Sequence, residues 1–177
     1  MQVNIGPIKD QKGGELTFSF REDWSNLEMG GKGLGFVEFV DFNGKVSWTG
    51  ECFLVKGKAK AKMQMTCARC LESNIAPVQA DILEEFRHAQ QDSHDHESEA
   101  EWEDEDVQEF RGLVLRLDEV VLENLLLSVP IKSLCKDDCH GLCPQCGHNL
   151  NEGKCDCVID DINPKMDILR KLLEPGN

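Results

Sequence analysis

The chain has no tyrosine among its 177 residues, so no phenolic acid or base is on offer. No stretch approaches the 18 consecutive apolar residues that a membrane-spanning helix needs, and no membrane partner is expected. The opening MQVNIGPIKDQKGG lacks a basic segment followed by an apolar run, so it does not read as a secretory leader. Catalytic signatures are missing too: there is no nucleophile elbow, no dinucleotide fingerprint and no His-Glu-x-x-His pair. The glycine-rich MGGKGLG lacks the Ser or Thr that follows the lysine of a phosphate loop, and it reads as a plain loop. The expectation is therefore a non-enzymatic protein that stays in a reducing cytoplasm.

Cysteine is present in excess. There are nine, and a reducing compartment disfavours pairing them as structural disulfides; the odd count points the same way. Six of them fall in CKDDCHGLCPQCGHNLNEGKCDC, from Cys135 to Cys157. Thiols clustered at such short spacing read as metal ligands. Cys143-Pro-Gln-Cys146-Gly147 is a knuckle in which a tight turn aims two sulfurs at one ion, and Cys155-Asp-Cys157 supplies the second half. Four thiolates close a tetrahedral site, which predicts structural zinc. An iron–sulfur cluster also accepts four cysteines, but no family-like cluster spacing is present. Cys67-Ala-Arg-Cys70 is a second such pair, and with Cys135 and Cys139 it completes a second site that pins a distant strand end to the C-terminal lobe. A competing partition groups Cys135, Cys139, Cys143 and Cys146 on one ion and Cys67, Cys70, Cys155 and Cys157 on another. A third reading makes Cys67 and Cys70 a redox pair, which would need a βαβ context. Cys52, in the apolar ECFLV, reads as a core thiol.

Patterning predicts an α+β, β-rich fold: an antiparallel meander or barrel-like sheet with one or two helices and a C-terminal zinc-binding lobe. Residues 1–84 form the β-rich half. There ELTFSF alternates apolar with polar, and Asn43-Gly44 between two β-prone runs signals a type I′ hairpin. Residues 85–109 read as an acidic, mobile linker. From Glu84 to Glu109 there are twelve acidic residues against Arg87 alone, so this window carries −11 of the chain's −14 and leaves −14 − (−11) = −3 elsewhere. Its His88, His94 and His96 read as solvated side chains. Residues 110–132 complete the core with a strand and a helix over LDEVVLENLLLSVP, with Asp118 as N-cap, Val120, Val121, Leu125 and Leu127 as core, and Pro130 at the end. Residues 133–177 hold the cysteine lobe and a last helix capped by Asn163 with Pro164 at its first position.

Charge also has a pattern within the strands. Lys56, Lys58, Lys60 and Lys62 alternate, which puts their ammonium groups on one sheet face about 6–7 Å apart, with Arg69 just beyond. Such a row fits a phosphate backbone, and these five are the RNA-binding candidates. The plainer reading is a solvated face with lysines guarding an edge strand.

The segment LCKDDCHGLCPQCGHNLNEGKCDC, preceded by LLLSVP and followed by INPKMDILRKLL, resembles the YceD-like large ribosomal RNA subunit accumulation family, a bacterial domain of otherwise unknown function. The CARC pair after a β-rich half and the acidic stretch between the halves match the same family. Where the family commonly opens its last helix with Asp-Pro-basic, this chain has Asn163-Pro164-Lys165, which keeps a cap. The resemblance implies a factor in large-subunit ribosomal RNA accumulation, maturation or ribosome assembly in the cytoplasm. Its partners would be ribosomal RNA or a pre-ribosomal particle, with basic ribosomal proteins as candidates for the acidic block. An alternative from another class is a redox-sensing zinc holdase, in which oxidation releases the ion and unfolds a lobe.

Overall fold

The computed structural model describes residues 1–27, 33–89 and 107–157. Two-residue alternation of apolar and polar side chains makes most of them strands. In chain order these are β1 (Gln2–Asn4), β2 (Glu15–Asp23), β3 (Gly35–Phe36), β4 (Phe39–Trp48), β5 (Phe53–Thr66), β6 (Ser73–His88), β7 (Val107–Phe110) and β8 (Val114–Arg116), followed by helix α1 (Asp118–Leu127). The main sheet has the order β2-β4-β5-β6-β7, with β3 also paired to β5, and β1 pairs with β8 in a separate ribbon. The fold is β-rich α+β. Among the described residues the sheet is open, with β2 and β7 as its ends.

One face of this sheet is core. Val40, Phe42 and Val46 of β4, Val55, Ala59, Ala61, Met63 and Met65 of β5, and Val78, Ala80, Ile82 and Phe86 of β6 are all buried. Helix α1 lies on β5 and β6, where the alanines leave room for it, and sends Val120, Val121 and Leu125 into the same cluster. Leu127, expected in the core, is 85% exposed. At 100° per residue it falls off the stripe that Val121 and Leu125 define. The expected cap also shifts by one: Leu117, wholly buried, takes the N-cap position with no side-chain cap bond, and Asp118 opens the helix. The Asp118 carboxylate instead accepts from the Met1 ammonium, which also meets Glu22 at 3.0 Å and ties β1 to the start of α1.

Two further expectations are corrected. The meander is antiparallel from β2 through β6, but β7 runs parallel to β6, pairing Glu85–His88 with Val107–Phe110. Parallel neighbours need a long crossover. Residues 90–106, with His94, His96 and most of the acidic block, lie outside the described residues, as does the C-terminal stretch with Asn163 and Pro164. Strand β6 runs through His88 and β7 begins at Val107, so both ends of the stretch read as a linker are sheet.

The Asn43-Gly44 pair does not turn. Both residues lie inside β4, in register with Lys58 and Gly57 of β5. The reversal comes instead at Thr49–Cys52, where Gly50 adopts φ +108° and the Thr49 hydroxyl accepts the Cys52 backbone N–H at 3.1 Å. Gly44 is needed for a different reason: a Cβ there would sit 2.4 Å from the Lys56 carbonyl oxygen and 2.7 Å from Gly57 Cα. The facing glycines let two backbones close up beneath the rings of Phe18 and Phe42, whose centroids are 5.0 Å apart. Gly44→Ala should accordingly destabilise the fold by about 2–3 kcal/mol, read as a lower urea midpoint, because the added methyl meets backbone that cannot retreat.

Candidate metal centres and the lysine face

The Cys67–Cys70 pair sits in the turn that joins the two longest strands. Thr66 and Ser73 form the last rung of the β5–β6 ladder, and the six residues between them make the reversal. Cys67 N–H donates to Glu72 O at 2.8 Å, and Leu71 N–H to Cys67 O at 3.0 Å. The chain after α1 comes alongside through Ala68 N–H to Ser133 O (2.8 Å) and Asn74 Nδ2 to Leu134 O (2.7 Å), which delivers Cys135 and Cys139. Arg69 completes the clamp, donating from Nη1 to Cys139 O at 2.8 Å and Asp137 O at 3.4 Å. Arg69, proposed from sequence as a phosphate contact, is exposed, with its guanidinium hydrogen-bonded to these lobe carbonyls.

The structure groups the sulfurs in two tetrads: Cys67, Cys70, Cys135 and Cys139, and Cys143, Cys146, Cys155 and Cys157, each with its sulfurs within 4.8 Å of one another. The alternative partition, which shares Cys143 and Cys146 with Cys135 and Cys139, is not the one formed. Within the first tetrad, Cys67 and Cys139 are 3.8 Å apart and Cys70 and Cys135 3.6 Å. A disulfide requires about 2.05 Å. Four sulfurs about 2.3 Å from a central ion in a tetrahedron lie about 3.8 Å from each other, so the donor set fits a metal ion. Cys52 belongs to neither group; it is buried, with its sulfur 3.3 Å from the Thr49 hydroxyl.

Both knuckles use the same backbone device. In the second, Gly147 N–H returns to Cys143 O at 2.9 Å, as Leu71 N–H returns to Cys67 O. The residue after the second cysteine is left-handed in each: Gly147 at φ +72° and Leu71 at φ +62°. Glycine takes that conformation freely; leucine does not. Leu71 is moreover 65% exposed, so no burial offsets the strain.

Backbone N–H groups aimed at sulfur favour the thiolate form in each cluster. Those of Cys70 and Arg69 hold Cys67 down to about 6 against its burial, and those of Cys146 and Gln145 hold Cys143 to about 6. Burial pushes Cys135 up to about 12, and the neighbouring Cys146 sulfur does the same for Cys157. Sequence reasoning missed Glu72, Asn149 and Asn151, whose side chains reach this region: Cys70 Sγ lies 3.8 Å from Glu72 Oε2, and Asn151 Nδ2 donates to Cys139 Sγ at 3.3 Å. Cysteine spacing carries no signal for such neighbours.

Lys56, Lys58, Lys60 and Lys62 are all exposed on the open face of β5. That strand lies in the middle of the sheet, between β4 and β6, so the lysines do not guard an edge. Lys58 pairs with Asp81 and Lys62 with Glu38, each at 3.0 Å. Lys56 and Lys60 form no ion pair among the described residues, and Lys56 stands directly opposite Lys45, whose ammonium is itself paired with Glu15 at 2.6 Å.

A family model described as "Large ribosomal RNA subunit accumulation protein YceD" matches residues 55–173. Uncharacterized proteins of Mycobacterium tuberculosis and Mycobacterium bovis are each 26% identical over 141 residues, covering 74% of this chain. The match spans 66% of those relatives' own length. No solved structure matches.

Two outcomes follow from the geometry of the knuckles. Leu71→Gly should raise stability by roughly 0.5–1 kcal/mol at fixed metal concentration, since relieving left-handed strain outweighs glycine's extra freedom in the unfolded chain. Loading metal at pH 7 should release fewer than four protons per site, because Cys67 and Cys143 are already largely thiolate. Calorimetric titrations in buffers of different ionisation heat would count those protons.

Proposed function

The chain belongs to the family of the large ribosomal RNA subunit accumulation protein YceD, and from that premise we propose that it is a non-enzymatic, zinc-stabilised factor in large-subunit ribosomal RNA accumulation, maturation or ribosome assembly, working in the cytoplasm by binding RNA or a pre-ribosomal particle. The observation that carries the reading is the exposed row of lysines on the central strand, in a chain whose family is named for that RNA. A flat, open sheet face presents cations to a phosphate backbone without needing a pocket. The ion pairs divide the row: Lys58 and Lys62 are partly neutralised, whereas Lys56 and Lys60, about 13 Å apart along the strand, keep their full charge.

Zinc suits both tetrads, since four thiolates suit a soft, tetrahedral ion and leave no open position for substrate. Its role would be to hold the lobe, with residues Cys67, Cys70, Cys135 and Cys139 at one site and Cys143, Cys146, Cys155 and Cys157 at the other. The membrane has no part in this proposal: no described helix is long and apolar enough to cross one.

Crosslinking of the tagged protein to RNA in growing cells, followed by sequencing, tests the reading. Enrichment of a discrete segment of large-subunit ribosomal RNA is expected, and no enrichment over an untagged control would end it. In vitro, Lys56→Glu with Lys60→Glu should weaken binding more than Lys58→Glu with Lys62→Glu. The first pair should also lower the slope of log affinity against log salt by about two, one for each phosphate that is no longer neutralised.

A further inference from the structure

The second tetrad is closed by two knuckles eight residues apart, and the loop between them reaches back to the first tetrad. Asn151 Nδ2 donates to Cys139 Sγ at 3.3 Å, while its Oδ1 accepts the backbone N–H of His140 at 3.0 Å. Both ends of that amide therefore act on the turn that carries Cys139. Asn149 Oδ1 holds Asn151 in place, accepting from its backbone N–H at 3.1 Å and its Nδ2 at 2.8 Å. Asn149 Nδ2 in turn donates to Glu72 Oε1 at 2.9 Å, and the other Glu72 oxygen lies beside Cys70 Sγ. Leu150 N–H to Gly141 O (2.9 Å) and a bridge between Leu142 and Asn149 seat the loop.

We propose that Asn151, supported by Asn149, is a positioning residue for the first tetrad, and that an ion in the second tetrad raises the first tetrad's affinity by ordering the loop that carries it. The inference rests on reading both tetrads as zinc sites. Four thiolates around one dication leave a net charge near −2, so an N–H aimed at a sulfur stabilises the loaded state. An amide on a loose loop must be ordered first, at an entropic cost. A loop whose two ends are already tied to an ion has met that cost beforehand. By linkage the effect is reciprocal: an ion in the first tetrad tightens the second by the same factor.

Asn151→Asp is the sharpest variant, because it keeps the shape and replaces the donor with an oxygen that repels the Cys139 thiolate. The whole chain would be purified with zinc, its ions counted, and zinc withdrawn by chelators of graded strength. Cobalt substitution, through its thiolate charge-transfer absorption, would report each site's occupancy. The wild type should hold two ions. Asn151→Asp should release the first tetrad's ion about tenfold more readily, the loss usual for an outer-shell partner, and by the same reciprocity should weaken the second ion's hold measured with the first tetrad loaded. Cys155→Ser with Cys157→Ser should retain one ion, weakened by a similar factor. Adding Asn151→Asp to that pair should then cost little more, since the loop is already unanchored. Wild-type affinity at both sites in Asn151→Asp, or wild-type affinity of the remaining ion in the double serine variant, would overturn the coupling. If the double serine variant does not fold, the Asn151→Asp arm decides alone, as it removes no core side chain. Fewer than two ions on the wild type would instead sink the zinc reading itself.

Discussion

The lobe after the helix meets the sheet at four sulfurs that come from positions up to 72 residues apart, spaced so that one metal ion could join them. Among the described residues the satellite cluster around them contains Cys67, Cys70 and Cys139 with Leu134, Cys135 and Leu142 against it, little apolar surface to fix the irregular chain that follows the helix. The sheet, by contrast, has a core of its own, from Met1 through Leu125. Hydrophobic burial accounts for the sheet, whereas the lobe meets it through hydrogen bonds and a sulfur cluster that could hold a metal ion. The Arg69 clamp and the Asn74 contacts to Ser133 and Leu134 are the hydrogen-bonded hinge between them.

Placing the first knuckle at the tip of the β5–β6 hairpin has consequences for the opposite side of the sheet. The same two strands that end in Cys67 and Ser73 carry the lysine row on one face and the contacts to α1 on the other. Alternation along β5 sends Ala59, Ala61 and Met63 inward and Lys58, Lys60 and Lys62 outward, so core packing, the charged face and the knuckle share one register. A slip of one residue would bury lysines and misplace the cysteines together.

Two local signals were legible and still misled. Asn43-Gly44 is a strong turn dipeptide, yet here glycine serves close approach of two strands under aromatic rings, and the turn moves to Gly50. Leu127 looks like core in an apolar run but points away from the stripe set by its neighbours. In each case the residue type was read correctly for one use, while long-range packing selected another.

What the sequence determined by itself is strands β2, β5 and β6, where period-two burial is written directly, and a set of eight thiols in short pairs that could hold metal. It also determined that the four lysines share a face. Only the tertiary structure decided which pair of cysteines meets which, the parallel return of β7, the ion pairs that separate Lys56 and Lys60 from Lys58 and Lys62, and the reach of Asn151 to Cys139. The division has a physical cause. Side-chain alternation is a property of adjacent residues, whereas each of the later features depends on where distant segments come to lie once the core has closed.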